Sequence, residues 1–173
     1  ATDLALAVVY PNAGNLGGGG FMVYRTADGD YGSLDYREKA PLASTKDMYL
    51  DEDNNVVKGL SSEGALSIGV PGTVAGLFET YQRFGSLPLD SLFKPAMKLA
   101  KNGFPLTKKQ AKSFNQNKRK ILSNSNNIDL FKKDFIEGMV FNNPALYSTL
   151  KFILENGKDG FYGGRISDDI IEF

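Results

Sequence analysis

The sequence predicts an α+β chain, one β-hairpin set among amphipathic helices. Two observations carry this. Residues 21–37 read as two short strands around Asp28-Gly29, a strong hairpin-turn pair. Later stretches place apolar residues at helical spacing, with Gly, Pro, Thr or Asn at positions that start or stop a helix. At 173 residues, 42% hydrophobic and 23% charged, the chain is long enough for one globular domain with a real core.

The chain opens on ATDLALAVVYP, an apolar segment without a capping signal that Pro11 stops. The stretch Gly14 to Pro41 follows, and the rest of the chain reads as scaffold around it. Gly17 to Gly20 are four consecutive glycines. Such a run is costly in backbone freedom, so it implies positive φ angles or a neighbour too close for a Cβ. Asn15, beside the run, also tolerates the left-handed region. A phosphate loop fits poorly: Gly20 is followed by Phe21 where a Walker loop needs Lys, and the glycines lead into a strand where a dinucleotide site needs a helix.

Phe21 to Tyr24 form an apolar run that suits a strand buried on both faces. The return strand places Leu34 and Tyr36 on one face and Ser33, Asp35 and Arg37 on the other. Arg37 thus projects from a strand end, and its planar fork matches a carboxylate with two parallel donors. The plainer alternative is a surface ion pair with Glu38 or Asp35.

Ser44 to Ser62 is polar and acidic, with Asp47, Asp51, Glu52 and Asp53, but it lacks EF-hand spacing and reads as a solvated loop. Ala65 to Val70 reads as a short strand that Pro71-Gly72 breaks. A helix over Thr73–Phe84 shows Val74, Leu77, Phe78 and Tyr81 on one face, and Gly85 stops it. A second runs from near Pro95 to Asn102, with the proline in its first turn and Gly103 after it. A third starts at Thr107, which has capping-box spacing to Gln110, with Ala111, Phe114, Lys118 and Ile121 on one face. SNSNN at 123–127 is a loop. Asn143-Pro144 opens another helix, with Leu146, Leu150, Ile153 and Leu154 as its buried stripe and Asn156-Gly157 as its end. The final SDDIIEF reads as a helix broken off early.

Composition excludes several chemistries. Without cysteine or histidine there are no disulfides, no thiolate or imidazole metal sites and no Ser-His-Asp triad within the chain. The formal net charge is zero, and no apolar run reaches about 18 residues. Residues 94–133 carry eleven Lys or Arg against one acid, Asp129. A nucleic-acid groove could use Phe104, Phe114 and Phe131 there, but these fit helical apolar faces, so a solvated face is the expectation. Two Ser-x-x-Lys pairs, Ser91 with Lys94 and Ser148 with Lys151, lack the companion motifs of penicillin-recognising enzymes.

GNLGGGGFM, then DYREKAP, GVPGTVAGL, NPALYSTL and FYGGRI, in that order across nearly the whole chain, resemble the large subunit of the gamma-glutamyltranspeptidases. The resemblance implies the αββα four-layer sandwich of the N-terminal-nucleophile (Ntn) hydrolases, of which residues 1–173 form a single incomplete domain. It implies a precursor that cuts itself and frees an N-terminal threonine on a small subunit. That threonine attacks the γ-glutamyl carbonyl of glutathione or a related compound, and its own amine serves as base. The γ-glutamyl group then passes to water or to an amino acid or peptide. On this resemblance Arg37 is the residue that binds the substrate α-carboxylate, and the nucleophile lies outside this chain, which alone is expected to be inactive; the neighbouring Glu38 reads as orienting Arg37 or the local backbone. The family also implies a periplasmic or extracellular location and the small subunit as partner; no cofactor is expected, and the chain's own charge and apolar runs give no nucleic-acid partner and no membrane segment in this chain. A non-catalytic γ-glutamyl-binding module is the alternative.

Overall fold

The computed structural model describes residues 1–13, 15–125 and 129–172; Gly14, Asn126 and Asn127 of the segments read above, and Phe173, lie outside them. The chain forms two compact units, residues 12–86 and residues 1–11 with 87–173.

In the first unit, β1 (Phe21–Arg25) and β2 (Tyr31–Asp35) pair antiparallel, Phe21 opposite Asp35 and Arg25 opposite Tyr31. The turn is as expected: Gly29 takes φ 95°, and the Thr26 and Gly29 N–H groups donate to Asp30 O (2.7 Å) and Thr26 O (3.1 Å). Helix α2 (Thr73–Phe84) covers one face of the hairpin, where the Tyr24 and Phe84 rings lie 4.7 Å apart and Thr80 Oγ1 meets Met22 Sδ at 3.7 Å. The face of β1 away from α2 is open within the described residues. Phe21 (62%) and Val23 (84%) are exposed, because no described element of the unit packs on that side.

The expected strand at Ala65–Val70 is also corrected. Ala65–Ser67 is a 3-10 turn, shaped by Gly64 at φ 78° and by Ser67, whose Oγ donates to Gly64 O at 2.7 Å. Only Val70 pairs, exchanging both backbone hydrogen bonds with Lys39. The acidic loop is held by Asp51, whose carboxylate accepts from Asp53 N (3.0 Å) and Asn55 N (2.8 Å).

The second unit is helical. It contains α1 (Thr2–Val9), α3 (Leu89–Asn102), α4 (Lys108–Ser123), α5 (Pro144–Asn156), α6 (Asp159–Tyr162) and α7 (Arg165–Glu172). α3 packs against α1 and α5, burying Leu4, Ala7, Val8, Phe93, Ala96, Ala100, Leu150 and Ile153. α3 begins at Leu89 rather than near Pro95, since its buried face already includes Phe93 and an Asp90–Lys94 ion pair spans its first turns. Pro95 therefore lies inside the helix. Thr107 caps α4 in a full capping box, and Asn143 caps α5 by accepting from Leu146 N at 3.0 Å. A second pairing, β3 (Phe104–Pro105) with β4 (Val140–Phe141), sits beside a cluster of Leu106, Ala111, Phe114, Phe135 and Phe141. Among the described residues no helix is long and apolar enough to cross a membrane.

Candidate functional site

Arg37 lies two residues beyond the end of β2, in a segment gripped by glycines. The ladder continues past the strands: Tyr36 N donates to Gly20 O at 3.0 Å and Gly20 N to Tyr36 O at 3.3 Å. A Cβ on Gly19 would stand 2.6 Å from Tyr36 O and 2.8 Å from Glu38 N. On Gly72 it would collide with the Tyr36 carbonyl, and on Gly76 it would come within 2.7 Å of Tyr36 Cβ. On Gly69 it would stand 2.9 Å from Glu38 Cβ. Gly18 O ties the two sides together by accepting from Gly72 N (2.9 Å) and Thr73 N (3.0 Å). The backbone of Tyr36, Arg37 and Glu38 thus runs through a channel that only glycines leave open.

Of the two reasons offered for the glycine run, close approach is the one realised. None of Gly17 to Gly20 has a positive φ, and the Asn15 side chain accepts from Leu16 N at 2.7 Å. Gly69, Gly72 and Gly76 were not identified as part of this site from sequence. Their signal was the GVPGTVAGL block, in which Pro71-Gly72 reads only as a strand breaker.

The Arg37 side chain is 62% exposed, its Cζ 5.7 Å from the centre of the Phe21 ring. Its Nε donates to Glu38 Oε2 at 3.1 Å, and its backbone N–H donates to Asp35 Oδ1 at 2.9 Å. The ion pair with Glu38 is therefore present, yet it uses Nε alone. Neither terminal nitrogen has a hydrogen bond or ion pair to a described residue, so the two-pronged edge of the fork is open. The Glu38 carboxyl is held below its ordinary range, first by its own backbone N–H and then by the Arg37 guanidinium, with the Gly19 N–H adding to this. The pair gives the site a fixed cation whose remaining donors suit a carboxylate.

The serine–lysine pairs assemble no nucleophile. Lys94 is paired with Asp90, and Lys151 with Glu155 at 2.6 Å, which raises its pKa and keeps it protonated. Ser148 Oγ donates to the Pro144 carbonyl at 3.1 Å. Phe114 is buried in the helical unit, and Phe104 and Phe131 are half-buried against the same cluster, so none is available to stack a base.

A model of the gamma-glutamyltranspeptidase family matches residues 1–173. The glutathione hydrolase proenzyme of Pseudomonas sp. (strain A14) is 43% identical over 99% of this chain, and that of Escherichia coli (strain K12) 38% identical over 99%. The chain spans 30% of the length of each. The crystal structure of Helicobacter pylori gamma-glutamyltranspeptidase superposes with a TM-score of 0.93 at 43% identity, covering 98% of this chain and 50% of that one. The gamma-glutamyltranspeptidase of Pseudomonas nitroreducens, complexed with L-DON, does so at 0.89 and 43%, covering 99% and 50%. The hairpin and helices described above are thus part of the Ntn-hydrolase fold.

Proposed function

The chain belongs to the gamma-glutamyltranspeptidase family, and from that premise we propose that the whole protein cleaves γ-glutamyl amides such as glutathione and transfers the γ-glutamyl group to water or an amine acceptor. In this reading residues 1–173 are one piece of the large subunit. A small subunit released from the same precursor provides a threonine whose hydroxyl attacks the carbonyl and whose amine takes the proton. The name proenzyme among the relatives supports a processed precursor. A periplasmic or extracellular location goes with the same reading.

Arg37 binds the substrate α-carboxylate through its open edge, while Glu38 holds Nε and so fixes the plane of the fork. The observation that carries this is the exposed guanidinium with one nitrogen anchored and two free, on a backbone that glycines hold in place.

The test is made in the assembled two-subunit protein. Arg37→Lys keeps the charge but loses the fork, and a charge-assisted hydrogen bond is worth roughly 1.5–3 kcal/mol, so kcat/KM on a γ-glutamyl anilide should fall about 10- to 100-fold. Arg37→Ala should fall further, chiefly through KM. Substrates with an esterified α-carboxylate should lose little more, and precursor self-cleavage should be retained. Unchanged kcat/KM for Arg37→Ala in a correctly cleaved protein would reduce Arg37 to a surface ion pair.

A further inference from the structure

The excess of cations in residues 94–133 has a definite shape on α4. This helix carries Lys108, Lys109, Lys112, Lys118, Arg119 and Lys120 and no carboxylate. Lys118 is turned aside, 2.8 Å from Asp134 and mostly covered. The other five are exposed, and none forms an ion pair with a described residue. At 3.6 residues per turn they fall within an arc of about 120°, with Gln116 in its middle, and span about 18 Å of helix axis. Ala111 and Phe114 occupy the opposite side, in the core. Several cations on other helices are neutralised one turn away, Arg83 by Glu79 and Lys151 by Glu155. Like charges at this spacing, such as Lys108 and Lys112, weaken an isolated helix, so the stripe is a cost to α4 until an anion meets it.

We propose that this face of α4 docks the protein on an anionic lipid bilayer. A convex helix face meets a plane along its whole length, and the flexible stems of four lysines let all the charges reach that plane. Lysine is a compact point charge suited to a field of headgroup phosphates rather than to one bidentate ligand. A nucleic acid fits less well, because no aromatic ring stands on the stripe.

The test is co-sedimentation of the full-length protein with vesicles of phosphatidylcholine alone or mixed with phosphatidylglycerol. Binding is expected only to the anionic vesicles and is lost in about 1 M salt, where the Debye length is about 3 Å. Each cation near an anionic surface is worth about fivefold in partitioning, so the triple variant Lys108→Gln, Lys112→Gln, Arg119→Gln should bind about 100-fold more weakly. The charge-matched triple Lys46→Gln, Lys58→Gln, Lys158→Gln should bind as the parent does, and Gln116→Lys should strengthen binding about fivefold. Circular dichroism shows that each variant is folded. Equal binding to neutral vesicles, an unaffected α4 triple, or single-stranded RNA binding the stripe more tightly than the vesicles would overturn the proposal.

Discussion

Residues 12–86 and the helices of residues 87–172 differ in what fills the space between their elements. In the helical unit it is side chains: Phe114 lies edge-on to Phe131 and Phe135, with ring centres 5.6 and 5.1 Å apart, and Leu150 and Ile153 are fully buried. In the hairpin unit it is backbone, with Gly19 and Gly72 pressed against the main chain of Tyr36, Arg37 and Glu38. A side-chain core tolerates small adjustments by repacking. A backbone contact has nothing to rotate away, so it fixes the path of the chain and, with it, the root of Arg37.

Substitutions in the two units should therefore fail differently. Leu150→Ala, in the side-chain core, should destabilise the protein by about 2–5 kcal/mol, because it deletes fully buried apolar volume. Chemical denaturation measures that loss, and KM of the folded fraction should not move. Gly72→Ala should cost about 1–3 kcal/mol by overpacking against the Tyr36 carbonyl, and here KM should rise as well, since the clash pushes on the segment that carries Arg37. Thr107→Ala removes the cap of α4 and should cost about 1 kcal/mol, visible as faster amide exchange in the first turn of that helix and nowhere in the hairpin unit.

The smallest effect is a titration. Glu38 has a lowered pKa in the folded protein, so its contribution is present above the ordinary carboxyl value of 4.5 and is lost as pH falls through the lower folded value. Carboxyl-carbon NMR should place its midpoint below 4.5, and Arg37→Ala should shift that midpoint upward without fully restoring it, because the Glu38 backbone N–H is the larger cause.

The sequence was most readable where local chemistry decides the outcome. Thr107 with Gln110, Asn143 before Pro144, and Asp28-Gly29 each made the cap or turn that their residue types favour. Arg37 was placed on the correct face by strand alternation alone. What was not readable depended on neighbours distant in sequence. The ALSIGV segment has strand-like composition, but Gly64 and Ser67 close a turn before a ladder can form. Gly69, Gly72 and Gly76 meet Tyr36 and Glu38 across more than thirty residues of chain, and no local pattern reports that meeting.

The central claim is that the glycine run exists to let Tyr36–Glu38 pass and thereby hold Arg37. The most direct measurement compares Gly17→Ala with Gly19→Ala in the assembled protein. A Cβ on Gly17 meets nothing within 4 Å, whereas one on Gly19 stands 2.6 Å from Tyr36 O and 2.9 Å from the Arg37 carbonyl carbon. Gly17→Ala should leave both melting temperature and kcat/KM on a γ-glutamyl anilide unchanged, while Gly19→Ala should lower kcat/KM at least about tenfold, mainly through KM. Equal kinetics for the two variants, both folded and cleaved, would contradict the account.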